Sequence, residues 1–227
     1  MCGRIANGTK PGYLRERFDE AAASDMLNDV GLMPRYNVTP GQFLPGIRTR
    51  PDKTKEWAVF RWGLIPRWAK PDRIPDRTFN ARSETVAEKP TFREAYKHRK
   101  CIVPISGYYE WTGEKGAKQP YYFHSKDNDV LVLAGIWETW RHEDTIVDSC
   151  TILTTEADKN LERYHHRMPV FLDDELSALW LDNSGSSLEL VLNNSHTNNI
   201  DIYPVSKDVN NGRVDHEGLI TKLPTLL

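Results

Sequence analysis

Short runs of β-branched and aromatic residues recur along this chain, at 56–62 (EWAVFRW), 100–111 (KCIVPISGYYEW), 120–124, 130–137 (VLVLAGIW), 149–154 and 201–205. Runs of this length and composition read as strands, and strands so widely separated must pair through non-local contacts. Helical periodicity is confined to three places. Leu14, Phe18, Ala21 and Ala22 share a face over 13–22, a second helix is expected over 92–98, and Asp173 or Asp174 can cap a third over 174–181 that carries Leu176, Leu179 and Trp180. The expected architecture is α+β, with a sheet as the core and helices at its periphery.

No repeat, low-complexity tract or Pro/Ser-rich linker divides the sequence, so residues 1–227 read as a single domain. A chain of 227 residues can bury most of the surface it exposes when unfolded without a disulfide or a metal. The three cysteines, Cys2, Cys101 and Cys150, are far apart and form no CxxC pair, so no zinc cage, no disulfide framework and no cofactor is expected. A reducing, cytoplasmic setting fits them. The first residues lack the basic and apolar blocks of a signal peptide, and no apolar run approaches membrane-spanning length, so a soluble protein with no membrane partner is expected.

Net charge is −2 and the pI about 6.4, so the overall basic footprint of a nucleic-acid binder is missing. One local segment differs. Residues 61–82 hold Arg61, Arg67, Lys70, Arg73, Arg77 and Arg82 against Asp72 and Asp76, interleaved with Trp62, Trp68 and Phe79. Basic groups among aromatics suit a single strand, whose bases stack on rings; a solvated loop beside core tryptophans is the plainer reading.

Position 2 carries the most specific chemistry. Removing Met1 before so small a residue is sterically easy and leaves Cys2 with an amine and a thiol on adjacent carbons. Their reference pKa values, roughly 7.7–8.0 and about 8.5, give both a nucleophilic fraction near neutral pH. Such a 1,2-aminothiol attacks an aldehyde through nitrogen to give an imine, and the sulfur then closes a thiazolidine ring. The competing reading is a small buried hydrophobe, the usual fate of a free cysteine.

Three further groups could serve that chemistry. Strand alternation sends Glu110 to the opposite face from Tyr109 and Trp111, where partial desolvation would raise its pKa and suit it to proton transfer, or where it could pair with an arginine. His165 and His166 stand side by side; adjacent histidines tend to diverge, so one could face a site and the other solvent. A histidine can assist opening of a sugar ring near neutral pH. Asn80 and Arg82 lie two apart, on one face if extended, as an amide to hold a reacting group and a guanidinium to hold a phosphate.

Together these segments are similar to the SOS response-associated peptidase family, whose members are abasic-site processing proteins. The resemblance rests on Met1-Cys2-Gly3-Arg4, Arg35-Tyr36-Asn37-Val38-Thr39-Pro40-Gly41, Trp62-Gly63-Leu64-Ile65-Pro66, Asn80-Ala81-Arg82-Ser83-Glu84-Thr85, Gly107-Tyr108-Tyr109-Glu110-Trp111, His165-His166-Arg167-Met168-Pro169 and Pro204-Val205-Ser206, in that order along nearly the whole chain. It implies a branched, mostly antiparallel sheet closed into a pseudo-barrel, with Cys2, Asn80, Glu110 and His165 as catalytic residues. It also implies that Arg4, Arg82 and Arg167 hold phosphates, that Pro40 and Trp68 pack against bases, and that Thr154 lines a DNA groove. The implied partner is single-stranded DNA carrying an abasic site, bound by a monomer, with replication or repair proteins as further partners. The implied activity is covalent crosslinking to that site, with residual strand cleavage and self-removal of Met1. Two other readings stand beside this one: an N-terminal-nucleophile amide hydrolase using Cys2, and a non-catalytic DNA-binding module.

Overall fold

The computed structural model describes residues 2–22, 33–50, 52–75, 77–127, 129–182, 187–195, 197 and 199–224. Met1, and Asp76 of the basic segment, lie outside the described residues. In chain order the elements are β1 (Ile5–Asn7), α1 (Pro11–Arg17), β2 (Ala21–Ala22), β3 (Arg35–Val38), β4 (Phe43–Thr49), β5 (Lys55–Trp62), β6 (Asn80–Arg82), α2 (Arg93–His98), β7 (Lys100–Ile105), β8 (Gly107–Thr112), β9 (Gln119–Ser125), β10 (Leu131–His142), β11 (Thr145–Glu156), β12 (Arg167–Pro169), β13 (Phe171–Leu172), α3 (Asp174–Leu181), α4 (Ser187–Asn194) and β14 (Ile200–Pro204).

All six expected strand runs are strands, but the run at 100–111 is two. The chain leaves one sheet at Ser106 and enters another at Gly107, where a Cβ would lie 2.4 Å from the Phe123 carbonyl oxygen. Only glycine allows β8 to approach β9 that closely. The helix expected over 13–22 is also shorter. Pro11 opens it, it ends at Arg17, and Ala21–Ala22 pairs in parallel with Lys55 and Glu56 of β5. Phe18 instead packs edge-on against Trp57, with ring centroids 5.7 Å apart.

Strands β11, β10, β7, β4 and β5 run in that order and close into a barrel. The closing contact is parallel, with Ser149 opposite Arg61 and Cys150 opposite Trp62. Past that point β11 sheds β5 and takes new partners, β6 in parallel (Ile152 with Asn80, Thr154 with Arg82) and β12 antiparallel (Thr154 with Pro169). This branch brings Asn80 and Arg167 onto the two sides of one strand. The second sheet, ordered β14-β9-β8-β1-β3, is antiparallel throughout. The expected α+β fold, with a branched and mostly antiparallel sheet closed into a barrel, is the observed one.

Alternation divides the barrel side chains cleanly. Trp57, Ile102, Val132, Ala134 and Ile136 form the outer face, covered by Leu14 of α1, Ala95 of α2, Leu176 and Trp180 of α3 and Val191 of α4. The interval residues Phe60, Trp62, Val103, Leu133, Cys150 and Ile152 fill the interior and continue into Cys2, Ile5, Tyr108 and Phe123 of the second sheet. The apolar interior of the barrel therefore ends on Cys2. Asp173 caps α3 as expected, accepting from the Leu176 N–H at 2.8 Å.

Candidate active site

The segment leading into β1 is fixed from both sides. The Arg4 carbonyl accepts from the Tyr109 N–H at 3.0 Å, and Arg4 Nη1 donates to Asn37 Oδ1 at 2.6 Å and to the Val209 carbonyl at 2.5 Å. Asn37, wholly buried on β3, in turn donates to the Val214 and Asn211 carbonyls. Cys2 is held ahead of this anchor at 0 % exposure, and its carbonyl accepts from Asn80 Nδ2 at 2.7 Å. Asn80 Oδ1 is buried and has no hydrogen-bond partner among the described residues, which leaves it available to an N–H donor.

Glu110 reaches the same place from β8. Tyr109 and Trp111 join the cluster formed with Tyr122, Val205 and Val209, whereas Tyr108, on the Glu110 side, joins that of Cys2. At 6 % exposure the Glu110 carboxyl is raised above its ordinary range by burial, against the opposing charge of Lys118. Burial, reinforced by the Glu110 charge, also pushes the Cys2 thiol far above its usual value. The useful thiolate fraction that reference values suggest is therefore absent while the thiol stays at this depth: sulfur begins as S–H.

His165 lies just ahead of β12. Its Nδ1 accepts from the Arg167 N–H at 2.9 Å, so the neutral ring carries its proton on Nε2. The Arg167 carbonyl, 3.2 Å from the same nitrogen, would accept from it in the Nδ1–H tautomer or in the protonated ring. The two histidine rings stack at 4.3 Å with an interplanar angle of 27° rather than diverging, although His165 is half-buried and His166 exposed. Burial above all, with the charge of His166 adding to it, lowers the His165 pKa to about 4. This has a measurable consequence. Between the ordinary value near 6.5 and about 4 the unfolded chain binds a proton that the folded chain refuses, so this group makes stability fall as pH falls through that window. In denaturant titrations from pH 7 to pH 4.5, His165→Gln should lose less stability than wild type; parallel curves would exclude the shift.

A model of the family described as SOS response associated peptidase matches residues 1–212. The chain belongs to that family. It is 32% identical over 225 residues to the abasic site processing protein YoqW of Bacillus subtilis (strain 168), covering 97% of this chain and 99% of that one. It is also 32% identical over 260 residues to the abasic site processing protein HMCES of Pongo abelii, covering 94% and 73% of the two chains. A crystal structure of a protein from Bacteroides thetaiotaomicron superposes with a TM-score of 0.83 at 28% identity, over 98% of this chain and all of that one.

The remaining positions that the family resemblance singles out are distributed unevenly. Arg82 is exposed on β6, next to Asn80 in the same short strand. Arg167 is 8 % exposed, and its guanidinium is engaged by both oxygens of Glu84, at 2.6 and 2.9 Å, and by the Thr154 carbonyl at 2.5 Å. Thr154 is fully buried on β11 between them. Pro40 is half-buried in the turn after β3, where Gly41 takes φ 91° and donates to the Trp62 carbonyl at 2.7 Å. Trp68 is 64 % exposed on a loop tied down around it: Arg67 and Arg99 both bind the buried Glu138 at 2.6 Å, and Trp140 Nε1 donates to the Ala69 carbonyl at 2.8 Å.

Two contributors escape sequence reasoning. Lys118, in the turn between β8 and β9, places a positive charge that acts on both Glu110 and His165. Glu84 stands inside a motif already singled out, yet only the fold reveals that it holds Arg167. Among the described residues no cluster of three or more His, Cys, Asp or Glu side chains could hold a metal, and no helix is long and apolar enough to cross a membrane.

Proposed function

We propose that this protein captures abasic sites in single-stranded DNA as a covalent adduct on Cys2, once Met1 has been removed. The observation that carries the reading is the meeting, at the end of an apolar barrel, of the Cys2 main chain with Asn80 and of its thiol with the Glu110 charge. The names of the relatives, abasic site processing proteins, point to the same lesion.

The chemistry follows from the protonation states. At neutral pH the thiol is protonated, so the α-amine of Cys2 attacks first, at C1′ of the ring-opened sugar. His165, neutral and carrying its proton on Nε2, hydrogen-bonds the ring oxygen as the C1′ hydroxyl proton passes to that oxygen and the sugar opens to the aldehyde. Glu110, raised by burial, transfers protons while the carbinolamine loses water to give the imine. Asn80 Oδ1 orients the amine. The thiol then adds across C=N: the S–C bond forms, the S–H proton moves to nitrogen, and a thiazolidine results with one water lost overall. If ring closure is delayed, the imine supports β-elimination and the strand is nicked.

Arg4, Arg82 and Arg167 are assigned to backbone phosphates, Arg82 being the most exposed of the three; Pro40 and Trp68 to bases; and Thr154 to the wall of the groove. An abasic nucleotide has no base to unstack, so it enters the site at little cost and the lesion is selected by access and chemistry. An N-terminal-nucleophile hydrolase must move the thiol proton to the Cys2 amine as sulfur attacks, and burial that raises this thiol makes the transfer costly, which favours the amine-first route.

The test is to mix the protein with a single-stranded oligonucleotide carrying one abasic site and resolve the products on a denaturing gel and by mass spectrometry. The expected product is a heat-stable species of mass equal to the protein without Met1 plus the oligonucleotide less one water. A protein with a free N-terminal cysteine that forms no such species, or forms it equally with undamaged DNA, overturns the reading.

A further inference from the structure

The Asn-Ala-Arg-Ser-Glu-Thr motif contains a glutamate, Glu84, to which the reaction above gives no work. Glu84 grips Arg167 by a two-toothed fork, Nη1 to Oε1 at 2.6 Å and Nη2 to Oε2 at 2.9 Å. The carboxylate is partly open to solvent, while the guanidinium side chain is 7 % exposed. Arg167 Nη2 also donates to the Thr154 carbonyl, which accepts in addition from the Ser83 N–H at 2.9 Å. One end of Arg167 is thereby bound to the loop that follows β6. The other end, its main-chain N–H, is the donor to His165 Nδ1.

We infer that Glu84 is a positioning residue for His165, acting through Arg167: it braces β6 and β12 across β11 and so fixes the imidazole as its Nε2–H tautomer. Removing the carboxylate leaves a guanidinium buried without its counter-charge, an arrangement costly enough to make the side chain move toward water. Its main-chain N–H then no longer meets Nδ1 at a fixed angle, and the ring can carry its proton on either nitrogen. A lysine at 167 keeps the charge but cannot form the fork. The opposed possibility is that the carboxylate occupies a phosphate site and competes with DNA for Arg167. The two differ in sign: a brace is needed for the reaction, whereas a competitor weakens binding.

The part of the inference that concerns the reaction rests on the proposed role of His165; the part that concerns the tautomer does not. The experiment therefore begins without DNA, on the full chain with ¹⁵N-labelled histidine at neutral pH, for wild type, Glu84→Gln, Glu84→Asp and Arg167→Lys. Wild type and Glu84→Asp are expected to show His165 as the single Nε2–H tautomer, and Glu84→Gln and Arg167→Lys as a mixture. On an abasic oligonucleotide at saturating concentration, Glu84→Gln is expected to crosslink at least about tenfold more slowly, with affinity for an undamaged strand unchanged or lower, because the displaced Arg167 is itself assigned to a phosphate. Retention of the single tautomer in Glu84→Gln or in Arg167→Lys overturns the inference, as does tighter binding of undamaged DNA by Glu84→Gln. Should Glu84→Gln fail to fold, Arg167→Lys and Glu84→Asp decide the matter. A tautomer change in a protein whose wild type never crosslinks would uphold the brace and overturn the abasic-site reading.

Discussion

In Cys2→Ala the heat-stable adduct with abasic DNA is expected to vanish while nicking of the strand continues. Alanine is small enough to permit removal of Met1, and its freed amine still condenses with the sugar aldehyde. What is lost is the sulfur that closes the ring, so the imine persists long enough for a proton to leave C2′ and for the 3′ phosphate to depart. The loss of stable product should be complete rather than partial, because no other group on the same residue can trap the imine. Folding should survive: the deleted atom is one small sphere in a packed interior, worth about 1 kcal/mol. The comparison is made on a denaturing gel after heating, which scores adduct and cleaved strand in the same lane. An unaltered adduct yield sinks the mechanism, and loss of both adduct and nicking would mean that the amine requires the thiol to reach the sugar at all.

How much of this could be read beforehand differs from residue to residue. The side on which Glu110 lies follows from strand alternation alone, because β8 is regular and its neighbours Tyr109 and Trp111 mark the other face. Its distance from Cys2 does not follow, since it depends on β1 lying beside β8 with Ile5 opposite Tyr108. The Asn80–Cys2 hydrogen bond spans 78 positions and hangs on a three-residue strand that pairs in parallel with β11. Three residues are too few for a periodic signal, and β6, β12 and β13 were all invisible for that reason. Ser106-Gly107 lies inside a run that reads as one strand, and only the crowding at Gly107 explains why the chain changes sheet there. The positive charge of Arg167 was legible and its purpose was not, because a guanidinium binds a carboxylate and a phosphate through the same fork. Trp68 shows the same limit on a loop: composition could not distinguish the tryptophan that is 64 % exposed from Trp62, which is fully buried.

Glu110→Gln is expected to slow adduct formation by about 10²–10⁴-fold with no change in affinity for single-stranded DNA. Glutamine has nearly the volume of glutamate and fits the same 6 % exposed position, so the barrel end stays packed. It cannot give and take a proton, and the two proton transfers between carbinolamine and imine lose their carrier. The substitution also separates the amine-first route from its rival. In the wild type the Glu110 charge is the second largest influence holding the Cys2 thiol protonated, so removing it makes that thiol more acidic. If a thiolate were the attacking group, Glu110→Gln would react as fast as the wild type or faster. Under the amine-first route it is slower, and the part of the wild-type pH profile that reports the raised Glu110 carboxyl is lost from the variant. Single-turnover adduct rates across pH, measured beside equilibrium binding to an undamaged strand, give both quantities. Equal losses in rate and affinity would make Glu110 a structural carboxylate, and a faster variant would return the first step to sulfur.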